Sequence, residues 1–194
     1  MTTRAEISEK RRREIVLAAF SQIAQRGFEG LRTREVAAEV GINVGTLHYY
    51  FPTKESLIGA VLEDAMERFR STLEPHGSPK DQLRNYLRRV HRLLTREPEL
   101  GAVMAEMVLR SVRDQTTGRI LEQMYEQWHA TTRGLLRRAV REGGMRPELD
   151  SEGMAALIVA TLTGFTLPVL SGSKRGEQAL RQLELSLGIA SPRP

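Results

Sequence analysis

An all-α fold, about nine helices in total, is predicted by three observations. Apolar residues recur at spacings of three and four along most of the chain, which gives a helix one apolar stripe. Hydrophobic content is 40% but aromatics are only 5%, a balance that suits aliphatic helix packing rather than β-sheet pairing. No run of strict apolar-polar alternation is long enough to be a strand. The 194 residues suffice for one sizeable helical core with a small appended module.

The elements follow in order. "EIVLAAFSQIAQRGF" repeats Val16, Ala19, Phe20 and Ile23 on one side, and Gly27 is its expected stop. A second helix is expected from Thr33, whose hydroxyl is placed to cap it, carrying Val36, Ala37 and Val40 inward to Gly41. Asn43 caps a third helix that runs to about Phe51, where Pro52 ends it, and Thr53 caps a fourth through Leu57, Leu62 and Phe69. "EPHGSP" (Glu74 to Pro79) has the composition of a connector. Five more helices are expected over 80–96, 99–113, 118–142, 150–171 and 176–187, separated by Gly, Pro and capping residues.

About 100° separates neighbours on a helix. Val44, Leu47, Tyr50 and Phe51 therefore share one face of the third helix, Gly45, Thr46 and Tyr49 face away, and His48 lies at the edge. Two short helices joined by "GIN" form the helix-turn-helix pattern, whose second helix enters the major groove of DNA. The outward groups suit that task. Gly45 lets the backbone approach base edges, and Thr46 offers a hydroxyl and a methyl. His48, Tyr49 and Tyr50 carry polar tips that reach phosphate oxygens. Lys54, in the first turn of the fourth helix, and Thr33, at the start of the second, stand where free backbone amides favour a phosphate. A packed ring with a wet hydroxyl is the competing reading of Tyr49 and Tyr50. "EKRRRE" (Glu9 to Glu14) reads equally as a DNA-touching arm or a solvated charge run.

The segment "TREVAAEVGINVGTLHYYFPTKESLI" resembles the DNA-binding signature of the TetR family of bacterial transcriptional regulators, in register from Leu31 to Leu62. The resemblance implies a three-helix DNA-binding head (residues 1–55), a larger ligand-binding and dimerisation domain (56–194), and a homodimer. Carried over to matching positions, it places Thr33, Arg34, Gly45, Thr46, His48, Tyr49, Tyr50 and Lys54 on DNA. Val44 and His48 depart from residues common at those positions in relatives.

Beyond residue 80, Leu83, Tyr86, Leu87, Val90 and Leu94 form one stripe, Met104, Met107, Val108 and Val112 a second, and Leu121, Met124, Tyr125 and Trp128 a third. Most of these are expected in the core. His91, Met104, Met107, Tyr125 and Trp128 together are also candidates for an adaptable apolar effector pocket with a few polar handles. "SEGMAALIVATLTGFTLPVL" is apolar nearly all round. Its small residues Ala156, Ala160 and Gly164, with Leu183 on the last helix, are candidates for a four-helix dimer interface; burial within its own subunit is the alternative.

Formal net charge is +5, with acidic residues interspersed among basic ones, which permits a polyanion partner without proving one. With no cysteine there is no disulfide, thiolate nucleophile or cysteine metal site, and the chain makes sense in a reducing cytoplasm. The longest apolar run, Met154 to Leu170, is too short to span a bilayer and contains Pro168. No HExxH, GxSxG, P-loop or dinucleotide turn occurs in suitable context, and the four histidines show no ligand spacing, so no enzyme, cofactor or metal is expected. The function expected is a homodimeric repressor that binds a roughly palindromic double-stranded operator and is released by a small-molecule effector. Corepression and a helical scaffold without DNA binding are the alternatives, and a scaffold's groove would want apolar anchors where Gly45 and Thr46 stand.

Overall fold

The computed structural model describes residues 3–190. Among them are nine helices and no strand: α1 (Arg4–Gly30), α2 (Thr33–Glu39), α3 (Val44–Tyr50), α4 (Lys54–Arg70), α5 (Pro79–Arg96), α6 (Pro98–Ser111), α7 (Gln115–Arg141), α8 (Ser151–Gly164) and α9 (Lys174–Ser186). The expected all-α class and its helix-turn-helix head are thus observed. The chain divides into two compact units between Arg68 and Phe69, within α4.

In the N-terminal unit, α1 begins earlier than its apolar stripe suggests. Thr3 forms a capping box with Glu6, and the helix runs through the basic stretch, so "EKRRRE" is helical. Arg11 donates to Glu14 and to the carbonyl of Val40, and the Arg12 guanidinium lies 5.2 Å from the centre of the Phe51 ring. Gly27 does break the helical conformation (φ 70°, ψ 174°) before one further turn. The core of this unit is Ile15, Phe20, Ile23, Leu31, Val36, Leu47, Phe51, Leu57 and Val61, all buried. Burying each such apolar side chain contributes roughly 1.5–3 kcal/mol.

In the C-terminal unit, α7 packs against α5, α6 and α8, and α9 packs against α5 and α8. The stripe Leu83, Tyr86, Leu87, Val90 and Leu94 is buried throughout. The second stripe is only half as expected: Met104 and Met107 are buried, but Val108, in the last turn of α6, and Val112, just past its end at Ser111, are exposed. Glu184 of α9 is buried and receives both Nε and Nη2 of Arg88 on α5, a bidentate ion pair that fixes α9.

Several boundaries differ from the expected ones for local reasons. Helices α6, α7 and α9 start before 99, 118 and 176: Pro98 takes the first position of α6, while Asp114 and Ser173 cap α7 and α9. Helix α8 stops at Gly164 rather than running to residue 171. Beyond it the backbone tightens, with Thr166 donating to Thr163 and Leu167 to Gly164, and Pro168 has no N–H with which to continue.

Candidate nucleic-acid interface

The helix-turn-helix is built by three local devices. Gly41 takes φ 67°, a conformation L side chains rarely adopt, which lets Gly41 N donate to Ala38 and Ile42 N to Ala37 as α2 reverses. Asn43 Oδ1 then accepts from the backbone N–H of Thr46 (2.7 Å) and from its hydroxyl (3.1 Å), capping α3 as expected. Thr53 Oγ1 accepts from Ser56 N at 3.0 Å and opens α4, again as expected.

The start of α2 corrects the expected cap. Thr33 is the first helical residue and makes no capping bond; Arg32 is the cap residue, and its guanidinium turns back to the carbonyls of Glu29 and Leu31 rather than capping α2. Its backbone N–H donates instead to Oε1 of Gln22, a glutamine 6% exposed inside α1. Sequence reading missed Gln22, since a polar residue in an amphipathic helix gives no sign that it faces inward.

Helix α3 is anchored on one side only. Leu47 is fully buried and Phe51 is 3% exposed, whereas Tyr49 is 80% exposed. His48 is exposed like Tyr49, while Thr46 and Tyr50 are half-buried. The rings of Tyr49 and Tyr50 meet edge to face, 5.3 Å apart at 86°, so Tyr50 steadies a ring that otherwise stands free. A Cβ at Gly45 would lie 3.2 Å from Asn43 Oδ1, so this glycine leaves both the capping oxygen and the outer face unobstructed. Arg34 is exposed and Thr33 and Lys54 are half-buried, each in the first turn of its helix. Val44, placed on the inner face, is half-buried. The arrangement offers hydroxyls, an imidazole and cations around a bare stretch of helix backbone, groups that hydrogen-bond phosphates and base edges.

Of the residues named for an effector pocket, Tyr125 and Trp128 are in ring contact. Met104 and Met107 are packed into the core of the C-terminal unit. His91 meets the ring of Phe165 edge to face at 4.8 Å; its Nε2 is buried without a partner, and burial holds its pKa below 6.5 against the opposing charge of Glu177. Trp128 packs edge to face on Phe69 and Tyr125. Tyr125, whose hydroxyl accepts from Thr163, lines a surface groove of about 480 Å³ with His129, Ala156, Val159 and Ala160. That groove joins one named pocket residue to two of the small residues named for dimerisation. Ala156 and Ala160 are exposed on α8 beside the half-exposed Leu157, Gly164 is half-buried, and Leu183 is inside its own chain. Nearby, His129, Arg133 and Arg137 converge on Glu152, a cluster that helical periodicity alone does not reveal because Glu152 belongs to another helix. Among the described residues no group of acidic and histidine side chains is arranged to hold a metal, and no helix is long and apolar enough to cross a membrane.

A glycine turn, a capped recognition helix held by Leu47 and Phe51, and an outward polar face on an all-helical chain define a helix-turn-helix DNA-binding regulator. Residues 15–61 match the model of the bacterial regulatory proteins of the tetR family, and residues 73–167 match that of the tetracyclin repressor-like C-terminal domain. The chain belongs to the TetR family, and is a non-enzymatic DNA-binding regulator. It is 28% identical over 165 residues to the nucleoid occlusion factor SlmA of Sodalis glossinidius, covering 82% of this chain and 83% of the relative. A TetR transcription regulator from Haloarcula marismortui shares the fold with a TM-score of 0.83 at 19% identity, over 94% of this chain and 98% of that one. The structure of AibR in complex with isovaleryl coenzyme A and operator DNA shares it with a TM-score of 0.70 at 21% identity, over 95% and 100%.

Proposed function

We propose that the chain is a homodimeric repressor whose α3 reads a roughly palindromic operator and whose residues 56–194 bind a small effector that releases it. The observation that carries the DNA-reading part is the contrast within α3, Leu47 fully buried and Tyr49 80% exposed two residues later. A large ring left in water at that level, beside a polar stripe, is matched to a surface outside the chain. Thr33, Arg34 and Lys54 supply phosphate contacts, while Gly45, Thr46, His48, Tyr49 and Tyr50 face the groove.

Dimerisation is supported by the exposed apolar side of α8, where Ala156, Leu157 and Ala160 stand in water. With Leu183 buried in its own chain, α9 contributes other residues, of which Leu185 is half exposed. Two reading helices about 34–36 Å apart would meet successive major grooves. An effector lowers operator affinity by its differential affinity for a subunit arrangement with another spacing. That AibR was crystallised with both an acyl thioester and operator DNA supports pairing these functions on one fold.

The test is to footprint the bound sites and measure affinity for one of them at fixed salt, since phosphate contacts make affinity strongly salt-dependent. Tyr49→Ala and Thr46→Ala are expected to weaken binding with the helical circular dichroism intact; unchanged affinity retires the reading. One observation favours a second reading, the nucleoid occlusion factor that matches 82% of this chain. In that case the head binds DNA without controlling a promoter, and deleting the gene leaves transcripts beside the footprinted sites unchanged.

A further inference from the structure

A second groove, of about 680 Å³, opens between the connector after α4, the first turns of α5 and the C-terminal half of α7. Its volume is that of a small-molecule site. The bed is apolar, formed by Leu73, Pro75 and the buried Leu135. Along α7 the lining changes character with chain direction, from Ala130 and Gly134 to Arg137, Arg138 and Arg141. These positions span about 16 Å of helix at about 1.5 Å per residue.

Charge in the groove is unbalanced. Its one acidic lining residue, Glu74, is paired with Arg89, which does not line it. Arg138 donates only to the neutral Gln82 (3.2 Å), Arg137 reaches Glu152 at 3.5 Å, and Arg141 has no acidic partner among the described residues. Arginines in the last turn of a helix also complement its dipole, which explains Arg138 and Arg141 but not the apolar bed beside them.

Gly134 supplies the independent sign. It lies inside a 27-residue helix, where glycine costs about 1 kcal/mol relative to alanine. No packing constraint requires it, since a Cβ there would meet nothing within 4 Å. The space it leaves is the floor of the groove.

We propose that this groove binds a small amphipathic carboxylate, with an unbranched apolar chain laid over Gly134 and Leu135 and the carboxylate held by Arg138 and Arg141. A guanidinium matches a carboxylate in a bidentate fork, and the sequence of small, apolar and then cationic lining fits a ligand with one charged end. This site is separate from the residues named for an effector pocket from sequence. It deepens the effector reading above, but the binding claim stands without operator DNA.

Calorimetric titration of the full chain with dodecanoate, below its micelle concentration, tests it. One site per chain is expected, with dodecanol and acetate each binding at least about tenfold more weakly, since each lacks one half of the recognition. Arg138→Gln with Arg141→Gln, and separately Gly134→Leu, should each weaken dodecanoate by about tenfold or more. Gly134→Leu should leave the melting temperature unchanged or raised, so its effect is not unfolding. Dodecanol binding as tightly as dodecanoate, or full affinity in the Gly134→Leu chain, overturns the proposal. If dodecanoate binds as expected but does not displace operator DNA, the site stands and effector release fails.

Discussion

The cap of α3 allows folding and DNA contact to be separated at one position. Asn43 Oδ1 accepts two hydrogen bonds, from the backbone N–H and the hydroxyl of Thr46. Replacing such a cap by alanine costs about 0.5–2 kcal/mol. In a helix of seven residues that loss is concentrated, because few other bonds share it. Asn43→Ala should therefore lower the hydrogen-exchange protection of the α3 amides by about 2- to 30-fold. While the closed helix still predominates, operator affinity falls only by the fraction that opens. Asn43→Asp gives the opposite pattern. A carboxylate accepts the same bonds and is favoured at a helix N-terminus by about 0.3–1 kcal/mol, so protection is kept. Facing phosphates, the same charge is repelled, and operator affinity drops. The assay is exchange by mass spectrometry on the full chain, paired with fluorescence anisotropy on a footprinted operator. Equal α3 protection in wild type and Asn43→Ala would refute the capping argument. Undiminished affinity in Asn43→Asp would refute the placement of this helix end against DNA.

Leu47→Ala empties a fully buried site and should cost about 2–5 kcal/mol, seen as a lowered N-terminal transition in urea, whereas Tyr49→Ala should change that transition by less than about 0.5 kcal/mol. Lys54→Gln should reduce the slope of log affinity against log salt by about 1, measured by anisotropy over a salt series. Arg88→Ala leaves the Glu184 carboxylate buried without its bidentate partner and should destabilise the C-terminal unit by about 3 kcal/mol in urea, with Arg88→Lys recovering only part. Because burial holds the His91 pKa down, the unfolded chain binds a proton there before the folded one does. Stability is then greatest above the unfolded value of about 6.5 and falls as pH drops from there toward the lower folded value. The wild-type chain should lose more stability between about pH 7.5 and 5.5 than His91→Leu does, and equal losses in urea titrations would refute it.

The class of fold and the reading helix were legible in the sequence because the signals that determine them are local. Caps such as Asn43 and Thr53, the turn at Gly41 and the inward spacing of Leu47 and Phe51 act within a few residues, so adjacent letters carry them. The N-terminus of α1 was missed because its charged residues show no apolar period, and the end of α8 because its apolar letters run past the point where the backbone tightens. Legibility also failed wherever partners lie far apart along the chain. Gln22 reaching the start of α2, Arg88 meeting Glu184 and the convergence on Glu152 all join residues that only packing brings together. The methionines named for a pocket share their periodicity with any core, and tertiary packing sent them inward while it opened a groove beside Gly134. Helical period tells which residues lie on one face of a helix; what covers that face is decided by the neighbouring helices, whose approach no single stretch of sequence encodes.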